Sequence, residues 1–520
     1  ESQLFDKGWL FTLADSAGME QVNYVDINWR HLDLPHDWAI EGDFSPANPS
    51  GASGGALPGG IGWYRKHFSV NPKEKNKRYV IAFDGVYMNA TVYVNGHKLG
   101  NRPYGYSSFE YDITPYINKV GDNVVAVRVN NSDQPNSRWY SGCGIYRHVW
   151  LKKSAESYIT QWGQYVSTTP QGEVKIKVDA HVAGAKKMTV RHTILDAAGK
   201  VVTKGVGGET QTLKVTHPHL WNIGDGYLYT VKSELLVGGK VMDTETTKTG
   251  FRDIKFDAQK GFFLNGKNMK INGVCEHHDF GCLGAVVNED AMHRKLTILR
   301  DMGVNAIRSS HNPPAPELLN MCDSMGLLVM DESFDMWRRK KSQNDYARFF
   351  DEWHQRDLSD LVKRDRNHPS VFMWSIGNEV LEQWSNAAAD TLSLEQANLI
   401  LNAGHDASTL ANGDELSVNS LLTQHLAEIV RQYDPWGSTR PITAGCNEPD
   451  PNNHLFKSGA LDVIGFNYHH QWVKDVPQNF PGKPFIFSES VSALQTRGYY
   501  MMPSDSVYKA PVEWWLPYTD

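Results

Sequence analysis

Cysteine is scarce in this chain, with five in 520 residues: Cys143, Cys275, Cys282, Cys322 and Cys446. An odd, scattered set without a CxxC pair excludes a disulfide framework and the common zinc motifs. Basic charge is in deficit, with 52 Lys and Arg against 59 Asp and Glu and a net charge of −7. That balance argues against an electrostatic nucleic-acid binder. No apolar stretch approaches the ~18 residues of a membrane span, so no membrane partner is expected. Glu1 stands where a Met would, with neither a basic nor an apolar leader segment after it. A removed leader and a periplasmic or secreted location are therefore expected, with a cytoplasmic one left open. The 40% hydrophobic and 21% charged content is ordinary, and 520 residues exceed one core; several domains are needed. The 16 Trp suit sugar stacking and large cores equally.

Residues 1–153 carry short alternating runs and turn signals. Thr91–Val94, Asn95-Gly96 and His97–Leu99 form a hairpin pattern, because Asn-Gly suits a type I′ turn. A loop rich in Gly, Pro, Ser and Ala spans 45–62. The expectation is an all-β jelly-roll sandwich. Residues 154–254 repeat the period-two pattern at immunoglobulin size, as a spacer β-sandwich. From 255 to 520 the rhythm becomes strand, helix, strand, as in a (β/α)₈ TIM barrel. Seven strands can be counted, at 268–275, 305–310, 327–332, 371–379, 441–447, 462–469 and 484–489. An eighth is not evident before Asp520, so the last barrel strand is expected to be missing from this chain.

Two acids end apolar strand runs. Val371–Asn378 leads to Glu379, and Pro484–Ser488 leads to Glu489. Strands apolar on both faces are buried parallel strands, and their C-terminal ends form the active-site face of a barrel. Paired carboxylates there are the equipment of glycoside hydrolysis. Retaining enzymes hold them about 5–5.5 Å apart and inverting ones about 6.5–9.5 Å. Position along the strands leaves both outcomes open.

The block Trp374-Ser375-Ile376-Gly377-Asn378-Glu379 resembles the acid/base signature of glycoside hydrolase family 2, which includes β-galactosidases and β-glucuronidases. Asn367–Ser370, Arg308–Pro314, Gly273–Asp279, Gly465–His469 and Arg138–Arg147 also resemble family blocks, in the family's domain order. The resemblance implies retention, with Glu379 as acid/base, its pKa raised by burial and its negative neighbour, and Glu489 as nucleophile. It implies that Asn378 meets the sugar 2-hydroxyl, that Tyr468 holds Glu489, and that Arg308 lies beneath the nucleophile. His277 and His311 would line the sugar pocket, and Asp133 or Asn131 would reach from the jelly roll to the outer hydroxyls. Asp331, Glu332, Asp335 and Trp337 could line the rim, with Trp337 either stacking on sugar or packed as a rim aromatic.

Family β-galactosidases bind magnesium just after the third strand. Met336 and Arg338 hold those places here and offer no hard anionic oxygen, so no metal or other cofactor is expected to be required. Family β-glucuronidases carry an Asn-x-Lys element after the nucleophile, and no such triplet lies between Glu489 and Asp520. With Gly377 in place of that group's usual Ala, the expectation is an exo-acting β-galactosidase whose partner is a β-galactoside. Homo-oligomerisation stays open. The alternatives are a β-glucuronidase or other β-glycosidase, and a noncatalytic sugar-binding protein on a truncated barrel.

Overall fold

Hydrophobic residues alternate along Tyr229–Val237, with Tyr229, Val231, Ser233, Leu235 and Val237 buried and those between them half-exposed. Val371–Asn378, by contrast, is buried at every position. The first pattern makes a strand with one covered face, the second a strand covered on both. In this computed structural model, residues 1–184, 187–384, 417–436 and 440–491 are described, with the backbone alone of 499–501 and 506–508.

The first 155 residues form two antiparallel sheets. One runs in the order Arg30–Leu32, Trp9–Thr12, Gly60–Phe68, Asn123–Asn131, Ala90–Val94, His97–Arg102; the other runs Ser2–Leu4, Val149–Ala155, Lys77–Phe83, Phe109–Asp112. Trp9, Phe11, Tyr64, Ile81, Phe83 and Val127 fill the space between them. The Asn95-Gly96 turn has φ of 50° and 81°, as a type I′ hairpin requires. A three-stranded and a four-stranded sheet follow between Tyr158 and Thr249, packed over Val174, Ile176, Val190, Val231 and Leu235.

The barrel strands are β1 (Gly273–Glu276), β2 (Ala306–Ser309), β3 (Leu328–Glu332), β4 (Val371–Asn378), β5 (Ile442–Gly445), β6 (Ile464–Asn467) and β7 (Phe485–Glu489). β1 to β5 form one parallel sheet, β6 pairs with β7 in parallel, and Cys446 bridges to Phe466. Helix α1 (Glu289–Asp301) follows β1, α2 (Pro316–Met325) follows β2, α3 (Ala347–Asp365) follows β3, and α4 (Val418–Tyr433) precedes β5. Asn288 caps α1 by accepting from the Ala291 amide, and Met292 and Leu296 are buried, while Met302 lies past its end at 73% exposure. The strand expected at 268–275 is two strands. Lys267–Met269 turns back on Gly261–Leu264, and β1 starts only at Gly273. The stretch after Val491, where an eighth strand was sought, lies outside the described residues except for the hairpin Tyr499–Met501 and Ser506–Tyr508.

The jelly roll and the barrel share a core. Tyr87, Met88, Tyr104, Tyr106 and Tyr146 pack in one cluster with Phe334, Trp337 and Phe350. Arg102 forks onto Asp357 at 2.6 and 3.0 Å and reaches Asp360 at 2.9 Å, with Arg102 and Asp357 both fully buried. Removing one partner of such a pair strands the other charge in low dielectric. Arg102→Ala is therefore expected to cost about 3–5 kcal/mol in denaturant unfolding of the jelly roll and barrel. A loss below about 1 kcal/mol, the worth of a surface pair, would refute that reading.

Candidate active site

The carboxyl groups and the amide at the centre of the site stand at strand carboxyl ends. Glu332 closes β3, Asn378 closes β4, Glu489 closes β7, and Glu379 follows β4 at a φ of +41°. Tyr468, just after β6, has a φ of +57°. Left-handed backbone costs a non-glycine residue about 1–3 kcal/mol and persists only where the surroundings enforce it. Here the Glu379 amide donates to the Gly445 carbonyl at 2.6 Å, and the Tyr468 amide donates to the Glu489 carbonyl at 2.7 Å.

Arg308 is the hub. Its guanidinium meets Glu332 at 2.9 and 3.0 Å, Glu489 Oε1 at 2.7 Å and Asn378 Oδ1 at 2.9 Å. A Cβ at Gly445 would overlap Arg308 Nη2, so glycine on β5 leaves the space the hub occupies. Glu332 is wholly buried and also takes His311 Nδ1 at 2.6 Å and Ser375 Oγ at 2.6 Å. Its burial is tolerable because each oxygen has two donors.

The two strand-end glutamates sit in unlike settings. Burial pushes the Glu489 carboxyl up, but Arg308, then His311, and the hydrogen bonds from Tyr468 and Arg308 outweigh it and hold it below the usual glutamate range. Tyr468 O–H donates to Glu489 Oε2. Burial, then Glu489 itself, pushes the phenol up, so it stays a donor. Glu379 Oε1 instead accepts from the neutral Asn467 amide at 2.9 Å. Asn467 Oδ1 accepts from Ser488 Oγ at 2.6 Å, so one amide links the two acids' neighbourhoods. A carboxylate held as an anion by Arg308 can supply a nucleophile, and a second carboxyl group, met by a neutral amide, stands on the same barrel face.

The jelly roll contributes a wall. Arg138 forks onto Asp335 at 2.9 and 2.5 Å, and Asp335 accepts from Asn378 Nδ2 at 2.8 Å and from Lys341 Nζ at 3.1 Å. Burial pushes Asp335 up, but Lys341 and Arg138 overcome it and hold it well below the usual range. Trp139 stacks on His277 at 4.8 Å and meets His311 edge-on at 5.5 Å. Burial, then His311, pushes His277 down to about 4, so the ring is neutral near pH 7. Trp139 Nε1 and His277 Nδ1 are buried with no protein partner among the described residues.

The family comparison follows the same three segments. Residues 56–155 match the sugar binding domain of glycosyl hydrolases family 2, 158–252 match the domain named for that family itself, and 256–512 match its TIM barrel domain. The chain belongs to glycosyl hydrolase family 2. It is 56% identical to the beta-galactosidase BoGH2A of Bacteroides ovatus across 99% of this chain and 62% of that protein. A crystal structure of a beta-glycosidase from Bacteroides vulgatus superposes with a TM-score of 0.82 at 37% identity, covering 96% of this chain and 60% of that one. A family 2 member from Bacteroides cellulosilyticus gives 0.82 at 36% identity, covering 94% and 61%. The chain thus spans about three-fifths of the length of these relatives. The multidomain fold expected from the sequence, two β-sandwiches and a TIM barrel, is that of the family.

Within this family 2 site, Arg308, His311, Asn378, Glu379, Tyr468 and Glu489 come together, with His277 beside His311. Other expected placements do not hold. Asn131 is buried inside the jelly roll, bonded to Gly142 O, Cys143 Sγ and Asn136. Asp133 is on the surface, paired with Arg348 at 2.6 Å. Trp337 is fully buried and donates to Ile376 O at 2.8 Å, so it has no face free for sugar. Asp331 and Glu332 are likewise wholly buried rather than at the rim, Glu332 as the partner of Arg308. The residues missed were Arg138, Trp139, Lys341 and Asn467. Arg138 and Trp139 open the block Arg138–Arg147 and Asn467 lies in the block Gly465–His469, so the resemblance marked both segments without assigning these side chains a role. At the magnesium positions, Met336 is a buried thioether and Arg338 faces Asp351 at 3.4 Å, and neither is a ligand for a hard cation. No helix among the described residues is long and apolar enough to cross a membrane.

Proposed function

We propose that this protein is a retaining β-glycosidase that removes terminal β-D-galactosyl residues. The observation that carries this reading is the asymmetry of the two carboxyl groups, with Glu489 held by Arg308 and Tyr468 and Glu379 met by the Asn467 amide. Glu489 attacks the anomeric carbon while Glu379 gives its proton to the departing oxygen, leaving a glycosyl ester on Glu489. Glu379, now a base, takes a proton from water, which attacks from the face the aglycone left. One N–H of the Asn378 amide is committed to Asp335, and the second is left for the 2-hydroxyl. The unpartnered Trp139 N–H and His277 Nδ1 suit sugar hydroxyls on the jelly-roll side, and that wall supports action at chain ends. No metal is assigned a step, and a periplasmic or secreted location is part of the proposal.

Support for galactose comes from the 56% identity to a beta-galactosidase. A panel of nitrophenyl β-D-galactoside, glucuronide, mannoside and fucoside tests it. The galactoside is expected to lead in kcat/KM by on the order of 10²-fold over the glucuronide. The first-formed sugar, followed by NMR, should be the β anomer. Preferential glucuronide turnover would overturn the substrate, and a first-formed α anomer would overturn the mechanism.

A further inference from the structure

Asp37 lies in the jelly roll, 2% exposed, away from every reacting atom described above. Its carboxylate accepts four hydrogen bonds. Oδ1 takes the Ala39 amide at 3.0 Å and the Cys143 amide at 2.8 Å; Oδ2 takes the Tyr140 hydroxyl and, from the barrel, the Ala285 amide at 3.0 Å. Tyr140 and Cys143 belong to the strap 138–143, which carries Arg138 and Trp139 into the site. Ala285 ends the barrel segment 277–285, which begins at His277, the ring under Trp139. His278 Nε2 ties the two segments again, at 3.1 Å from the Ser141 carbonyl.

The packing leaves no slack. Gly142 on the strap has a φ of +75° and Gly284 on the barrel segment has +64°. A Cβ at either would run into Asp37 Oδ2, and one at Gly142 would also strike the Ala285 methyl. Both backbones therefore close directly on the one carboxylate, which only glycine permits at that approach. Burial pushes the Asp37 carboxyl up and the four donors pull it back only in part, whereas an amide in its place presents N–H to N–H on one side.

We infer that Asp37 is a positioning residue for the reaction: it clamps the jelly-roll strap 138–143 to the barrel segment 277–285 and so sets where Arg138 and Trp139 stand against Asp335, His277 and His311. This rests on the glycosidase reading above. A wall shifted by about 1 Å can cost about 10²-fold in rate without any loss of a reacting group.

The test is Asp37→Asn in the full chain, read by galactoside kinetics and by hydrogen exchange. kcat/KM is expected to fall about 10- to 100-fold. The amides of Cys143 and Ala285 should exchange faster while β3 and β4 keep their protection. In a cycle with Arg138→Ala, the double variant should lose clearly less than the product of the two single losses, because both act through one strap. Multiplicative losses together with a lowered melting temperature would mean a merely structural role, and an unchanged kcat/KM would overturn the inference outright. If Asp37→Asn does not fold, Tyr140→Phe removes one donor of four and carries the same readouts on a smaller scale. If the wild type turns over no glycoside, the glycosidase reading falls, and exchange alone decides whether Asp37 holds the two segments.

Discussion

Glu489→Gln is expected to lower galactoside turnover by on the order of 10⁴- to 10⁶-fold, the scale seen when an enzyme loses its covalent nucleophile. The substitution is close to isosteric. Its carbonyl oxygen can still take Arg308 or Tyr468, which hold the native side chain. The variant should therefore fold, with an unchanged circular dichroism spectrum. What it loses is the anion that attacks carbon. Glu489→Ala instead opens a space beneath the sugar, and added azide should restore turnover as the α-glycosyl azide, since the small anion attacks from the nucleophile's own side. The wild-type acid limb should agree. A carboxyl group held below the usual glutamate range stays ionised further into acid, so the lower limb of kcat/KM lies below the ordinary glutamate value of about 4.3. Turnover by Glu489→Gln within ten-fold of wild type would remove Glu489 from the mechanism.

The parts of this site that could be read from sequence share one property: they sit at the ends of strands whose burial is written into the chain. Val371–Asn378 is continuous and apolar, so the acid after it falls on the barrel face. Arg308 and Tyr468 were expected from the family resemblance, and β2 and β6 carry them to the same face. The parts that could not be read are contacts between domains. Arg138 meets Asp335 across 197 residues and Arg102 meets Asp357 across 255, and no local periodicity encodes either. Asp133 or its neighbour Asn131 was expected near the sugar from the family resemblance, yet the residues that reach the site are five to eight positions further on. The strand's end turns Asn131 inward to hold Gly142 O, and that bond helps fix the strap. Trp337 shows the limit of composition. An aromatic just past a strand end reads alike as a rim platform or a core plug, and only the Ile376 carbonyl beneath its indole N–H decides for the plug. The split of the first barrel strand has a similar cause. Asn265 and Gly266, at φ of 51° and 76°, make a turn that sends Lys267–Met269 back on its predecessor.

Glu379→Ala separates the two acids by a signature that no loss of folding can imitate. An acid is needed in proportion to the basicity of the leaving oxygen. For an alkyl or sugar aglycone, kcat/KM should fall about 10²- to 10⁴-fold. For a dinitrophenyl galactoside, whose phenolate departs without a proton, the first step should be nearly unchanged. The second step still lacks its base, so the glycosyl-enzyme accumulates, KM drops, and a burst of dinitrophenol precedes a slow steady state. Azide needs no base and should restore turnover as the β-glycosyl azide, the opposite anomer from the Glu489→Ala product. Alanine carries the same left-handed strain as glutamate at φ +41°, and the backbone bond to Gly445 O remains, so the strand end should stay in place. A loss equal for alkyl and dinitrophenyl galactosides would mean that Glu379 shapes the pocket rather than moves a proton. The unlike settings of the two carboxyl groups would then need another explanation.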